Sequence, residues 1–195
     1  MTLSRWTFIK DCSALATTVF KTIGIGLAAL IVILPLSSSA NDLLFTLAAL
    51  KNDIKTEGPS IGTVDSQMTS LNFKAGYVLT NGLYVGGTYD SRTDESNSGK
   101  AERTSLGASI GYHNSGWYLD GTYYLSSSRT VGSLEYREGS GFGADVGHRF
   151  TVSGPLQLGL QVSYRSFTYN KLNSTTQTNK ISSELMPMLL IGLVF

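Results

Sequence analysis

Lys74, Asp90, Asp120, Asp145, Arg149, Arg165 and Glu184 are the charged residues of this 195-residue chain that sit at alternate positions of otherwise apolar or glycine-rich runs. Their types could serve as acids, bases or ion-pair partners. Counted along their runs, Lys74, Asp120 and Asp145 fall at one level, and Arg165 and Glu184 share a higher one. Ion pairs are expected there, because removing one partner of a buried pair costs about 3–5 kcal/mol. The triplet His113-Asn114-Ser115 offers a base beside a hydroxyl. A serine nucleophile needs that base within hydrogen-bond reach and an acidic residue orienting it. Turn chemistry is a sufficient reading of Asn-Ser-Gly, so no catalytic residue is assigned. Two separated histidines, and a single cysteine at Cys12, make no ligand cluster, so no metal is expected. The acidic stretch Asp94 to Gly99 lacks calcium-ligand spacing. "GFGADVG" follows no strand-to-helix pattern, so no nucleotide cofactor is expected either.

The elements that carry these residues read as strands, because period-two alternation dominates from about residue 70 onward. Leu71, Phe73, Ala75 and Tyr77 alternate with Ser70, Asn72, Lys74 and Gly76, and "LYVGGTYD" continues the pattern after a tight "TNG" turn. Leu106 to His113 and Trp117 to Leu125 form a second pair around "NSG". Phe142 to Phe150 and Leu156 to Tyr164 form a third around "TVSGP". With "LLFTLAALKN" before them and "SSELMPMLLIGLVF" after, eight strands are expected. Between the short turns lie long polar stretches, 53–66, 92–101, 126–137 and 168–180, which read as loops. Pro187 cannot donate to a ladder, so a bulge near it is expected.

The first 40 residues differ in kind. Arg5, Lys10 and Lys21 precede the apolar Ile23 to Leu36, and "SSSA" follows. This is the layout of a secretory signal peptide, with cleavage expected after Ala40 and export through the Sec pathway. The apolar core falls short of the ~20 residues of a membrane-spanning helix. Residues 41–195 would then be the mature chain, with 12 basic and 13 acidic residues once Arg5, Lys10, Lys21 and Asp11 are gone. That balance argues against nucleic acid as a partner.

Alternation does not say which face points inward. A soluble lipocalin-type barrel would put the apolar face inside, and a membrane barrel would put it outside. The aromatic residues favour the second. Tyr77, Tyr112, Trp117, Phe150 and Phe195 lie near the short-turn rim, and Tyr89, Tyr123, Phe142 and Tyr164 lie toward the other. Two such belts match interfacial girdles. The fold class is therefore all-β: an eight-stranded antiparallel transmembrane up-and-down barrel, sealed by packed charges and expected to be monomeric among outer-membrane lipid and lipopolysaccharide.

On this pattern of strands, girdles and turns, the chain resembles the small eight-stranded outer-membrane proteins of the OmpA/OmpX/Ail type, with the OmpW group second. The resemblance implies that Phe195, Leu193, Ile191 and Leu189 form the signal read by the barrel assembly machinery. It also implies a non-enzymatic role carried by external loops, in envelope integrity, adhesion or resistance, with an extracellular ligand left open. A narrow channel for small or apolar solutes is the alternative that the OmpW group implies. His113 and Ser115 are similar to the His-x-Ser motif of the lipid A 3-O-deacylase barrel. The residue twelve places on is Ser127 rather than a carboxylate, which disfavours that activity.

Overall fold

In the computed structural model, strands β1 (Asp42–Gly58), β2 (Gly62–Val78), β3 (Leu83–Ser96), β4 (Gly99–Asn114), β5 (Trp117–Val131), β6 (Leu134–Ser153), β7 (Leu156–Leu172) and β8 (Thr175–Val194) follow one another along the chain. Each pairs antiparallel with the next, and β8 pairs back onto β1 to close a barrel. The structure describes residues 42–58, 62–96, 99–173 and 175–195. The expected signal peptide lies outside the described residues. At one rim the reversals are tight. Ser115 (φ 50°) and Gly116 (φ 86°) both take positive φ, the geometry whose twist matches the flanking strands, and Gly82 (φ 83°) and Gly154 (φ 51°) turn the other two.

Alternation becomes a two-sided wall through the register. The perpendicular row Leu43, Tyr77, Val85, Ile110, Gly121, Ala144, Tyr164 and Leu185 passes through all eight strands on the outer face. Continued from the Ala49–Leu189 pair, it returns to β1 at the level of Asp53, ten residues above Leu43. Closure with such a stagger requires strongly tilted strands. The outer face is apolar: Leu160 is 64% exposed, Ile110 59% and Leu189 69%. The inner face holds Lys74, Asp90, Asp120, Asp145 and Arg165, all nearly or wholly buried. A soluble barrel would reverse this, so the outer wall is built to meet hydrocarbon.

Two expectations are corrected. Among the described residues the four polar stretches are mostly strand rather than loop. The strands continue into them, and β5 and β6 remain paired up to Val131 and Leu134, where Gly132 (φ 59°) reverses the chain. A ladder needs backbone groups and not an apolar face, and the many Thr, Ser and Tyr residues here suit extended backbone. The irregularity expected near Pro187 falls not at the proline, which pairs in register with Val162, but in β8 between Glu184 and Ile181, opposite Arg165 and Phe167.

The closing seam explains how Pro187 is accommodated. Phe195 and Leu43 exchange both backbone bonds, at 2.9 and 3.0 Å, so every second residue of β8 counted back from Phe195 turns its N–H toward β1. Pro187 belongs to that set. The β1–β8 ladder runs from Leu44–Val194 only to Ala49–Leu189, one step short of it. The missing N–H therefore faces a stretch where β1 offers no partner.

Leu160→Arg, near mid-height on the lipid face, is expected to destabilise the barrel by about 2–4 kcal/mol in denaturant unfolding from lipid vesicles. The same change at Val152, beyond Phe150 at the rim, should cost under about 1 kcal/mol.

Candidate functional site

The lumen contains one continuous chain of charge-assisted contacts, built from the inward residues of β2 to β8. From the short-turn end, Arg149 Nη2 donates to His113 Nδ1 at 2.8 Å, and His113 Nε2 bonds Asp120 Oδ1 at 2.7 Å. Lys74 Nζ bridges Asp120 Oδ2 at 2.6 Å and Asp145 Oδ2 at 2.8 Å. Arg165 carries the chain upward, with Nη1 2.6 Å from Asp145 Oδ1 and Nε 3.5 Å from Asp90 Oδ2. Arg103 joins Asp90, 3.1 Å away, to Glu184, which also pairs with Arg92. Arg92 in turn meets Asp94 at 2.9 Å. From Asp120 to Asp94 the signs alternate, so among the described residues each buried charge except Arg149 lies against an opposite one. Desolvation makes this arrangement necessary, because an isolated buried ion costs several kcal/mol.

Aromatic rings and glycines complete the filling. Tyr118 donates to Gln161 Oε1 at 2.8 Å, and Gln161 Nε2 donates to Asp145. Higher up, Arg103 lies 4.3 Å over the Phe167 ring, within a cluster of Tyr124, Phe167 and Tyr169. Large rings fit beside the wall only where the wall is bare. A Cβ on Gly86 would overlap Tyr84 Oη and the Ala75 carbonyl, and one on Gly147 would overlap Tyr118 Oη. A second, apolar strip lies along β1 and β8: Ala48, Met186, Met188 and Leu190, with Leu50 against it.

Lys74 stands between Asp120 and Asp145, as its level in the sequence implied. Arg165 and Glu184 do not pair. They are register partners, but Arg165 lies between Asp145 and Asp90, which have no exposure, while Glu184 nearer the mouth takes Arg92 and Arg103. Arg92, Asp94, Arg103 and His113 are chain members that sequence reasoning did not assign. Arg103 keeps the parity of Ser105, and Arg92 and Asp94 keep that of Asp90, so a signal existed once the strands were extended. Ser127 had none. Register shifts where Leu106 pairs Ser126 and Gly107 pairs Tyr124, leaving Leu125 as an extra residue. Beyond it Ser127 turns inward, bonding Ser105 at 2.8 Å and Tyr169 Oη at 2.9 Å.

His113 and Ser115 are separated by the turn. His113 is buried between Arg149 and Asp120, and the Ser115 hydroxyl is exposed and donates to Asn114 Oδ1 at 3.0 Å. An imidazole oriented by a carboxylate is present, but both its nitrogens are taken, by Asp120 and Arg149, and the hydroxyl bonds Asn114 instead. All nine girdle residues, Tyr77, Tyr112, Trp117, Phe150, Phe195, Tyr89, Tyr123, Phe142 and Tyr164, are exposed or half-exposed on the outer face. Trp117 lies edge-on to His148 with centroids 4.8 Å apart, and Phe142 lies 6.0 Å from Tyr164. Leu189, Ile191 and Leu193 share that face with Phe195. At the hairpin ends, charges pair in water. A hydrogen bond from Arg137 holds the Glu135 carboxyl below its ordinary range, and a bond to Glu102 raises Lys100.

Asp90→Ala leaves Arg103 and Arg165 short of a partner, and is expected to remove about 3–5 kcal/mol of unfolding free energy in detergent. Glu95→Ala, on an exposed pair with Lys100, should change it by under about 1 kcal/mol.

No protein-family model matches this chain, and no curated protein matches its sequence. Solved structures do. Neisserial surface protein A is 17% identical, with a TM-score of 0.52 over 80% of this chain and 96% of its own. Outer membrane protein AlkL is 15% identical, with a TM-score of 0.46 over 83% of this chain and 95% of its own. The β domain of the Bordetella autotransporter BrkA is 15% identical, with a TM-score of 0.40 over 78% of this chain and 71% of its own. With its closed antiparallel ring, apolar outer wall and polar filled lumen, the chain has the fold of the small eight-stranded outer-membrane β-barrels.

Proposed function

We propose that this protein resides in the bacterial outer membrane and acts neither as an enzyme nor as an open pore, but through the hairpins that its strands extend beyond the upper girdle. In this reading the short-turn rim, which holds the start of β1 and the end of β8, faces the periplasm, and the hairpins face outward. The observation that carries this reading is the unbroken charge chain from Arg149 to Asp94, which occupies the lumen along its length. A path for ions would have to break several of these contacts at once.

The hairpin of β5 and β6 is strand where a loop was expected. β5 and β6 hold Ser127, Arg129 and Tyr136 in a paired ladder, and Tyr136 packs edge-on against Tyr169 at 5.9 Å. Arg92, Arg103, Arg129 and Glu184 border a cavity of about 120 Å³ at this mouth. Binding residues collect on such projecting elements of a rigid scaffold. The roles this supports are surface roles: adhesion, resistance, or envelope integrity through contact with lipopolysaccharide. Phe195, Leu193, Ile191 and Leu189 supply the motif for the assembly machinery, and the barrel works as a monomer.

One observation favours a second reading, a narrow route for small apolar solutes. The β1–β8 ladder stops at Ala49–Leu189. Behind the stop lies the apolar strip of Ala48, Met186 and Met188.

In planar bilayers the reconstituted protein is expected to show no stepwise conductance at neutral pH. Reproducible openings would overturn the sealed reading. Replacing hairpin residues 126–139 with a two-residue turn should leave the heat-modifiable barrel intact while removing surface binding. Deleting Phe195 is expected to lower the folded fraction in the outer membrane several-fold, measured by heat-modifiable gel migration, and normal insertion would refute the terminal signal.

A further inference from the structure

The charge chain has an unequal end. At its outer limit Arg92 meets two carboxylates. At the short-turn limit Arg149 meets none. It is only 8% exposed, and its sole hydrogen-bond acceptor among the described residues is a neutral imidazole nitrogen, His113 Nδ1. That bond fixes the ring: Nδ1 must be bare to accept, so Nε2 carries the proton and donates to Asp120. The ring therefore connects Arg149 to the chain without neutralising it. Tyr118 covers one face of the guanidinium, 5.0 Å from ring centroid to Cζ. Its Nε and Nη1 are buried and have no partner.

The Arg149 side chain borders space. A cavity of about 180 Å³ at this mouth is lined by Arg149, His113, Asn114, Ser115, Gln157 and Trp117, among others. Polar side chains line it. Ser115 engages Asn114 Oδ1, which leaves the Asn114 NH₂ to donate elsewhere. Gln157 Oε1 is buried without a partner, and a half-turn of that amide presents its NH₂ instead. Asp42 is the one carboxylate in the lining, and it is exposed at the rim where water screens it. Nη2 gives one of its two hydrogens to His113, and the other lies parallel to the free N–H of either Nε or Nη1, so the guanidinium keeps one fork that matches an oxyanion. An unpaired buried charge also makes such a counter-ion favourable.

We propose that the short-turn mouth is a binding site for a small oxyanion, a carboxylate or phosphate group held by Arg149. The ligand completes the alternation: it supplies the negative charge that every other buried guanidinium of the lumen obtains from Asp or Glu. Its source is either a free anion or a lipid headgroup entering at the rim. The site is separate from the hairpins and requires nothing of them.

The test uses the full mature barrel in maltoside micelles, which carry no phosphate. The Arg149 Nε–H resonance and the His113 and Trp117 amides are followed by NMR as inorganic phosphate, acetate or dihexanoyl phosphatidylglycerol replaces chloride at constant ionic strength. A saturable shift at these signals is expected, weakened at least about tenfold in Arg149→Gln. Arg149→Lys, which keeps the charge but not the fork, should recover only part of the affinity. Saturation by phosphate or acetate identifies a free anion, and saturation by the lipid alone identifies a headgroup. If Arg149→Gln does not insert, Gln157→Leu provides the second variant and should weaken the response several-fold. No saturable shift with any probe, an equal shift with chloride, or a shift unchanged in the variants that insert would overturn the proposal.

Discussion

Everything inside this barrel depends on buried charge needing opposite charge. Eight strands enclose a lumen only wide enough for side chains, and among the described residues five basic ones project into it: Lys74, Arg92, Arg103, Arg149 and Arg165. Water does not reach most of them, and all but Arg149 find a counter-charge on another strand. Asp90, Asp120, Asp145 and Glu184 answer from β3, β5, β6 and β8. Because the links cross the lumen, they tie non-adjacent strands together in a way that no backbone ladder does. The outer wall can then be given wholly to lipid, with apolar side chains that contribute nothing to the interior.

The same constraint governs where the wall is bare and where it is filled. Glycines on the inner face make room for Tyr84 and Tyr118, whose hydroxyl ends sit against them. The β1 and β8 inner faces are oily because the chain of charges runs along the other side of the lumen. Met186, Met188 and Ala48 fill that side by packing alone. The seam between these two strands is correspondingly short, and Pro187 is tolerated at its end because no partner is lost there. Above the girdle the constraint relaxes: water takes over the role of counter-charge, and pairs such as Lys100 with Glu102 contribute little.

Much of this was legible in the order of residues. Alternation identified the strands and their inner and outer sets, since a side chain two places on must share a face. Lys74, Asp120 and Asp145 could be grouped by counting from the turns. Arg165 and Glu184 could not be resolved this way, because register shows which backbones are adjacent and not which way a long side chain leans. The extra residue at Leu125 was hidden, because a bulge changes parity without any local mark in Leu-Ser-Ser-Ser. The hairpins were hidden for another reason. Their strands lack an apolar face above the membrane, and alternation of hydrophobicity is the signal by which strands are read. The Arg149–His113 contact joins β4 and β6 across the lumen, so no spacing within either strand announces it.

The most direct measurement of the charge-pairing account is a double-mutant cycle between Lys74 and Asp145, using Lys74→Met and Asp145→Leu with unfolding followed in lipid vesicles. The account predicts that the two losses are strongly non-additive, with a coupling energy near the upper end of the range for contacting residues, about 2–3 kcal/mol. Additive losses, with a coupling within about 0.5 kcal/mol of zero, would contradict it.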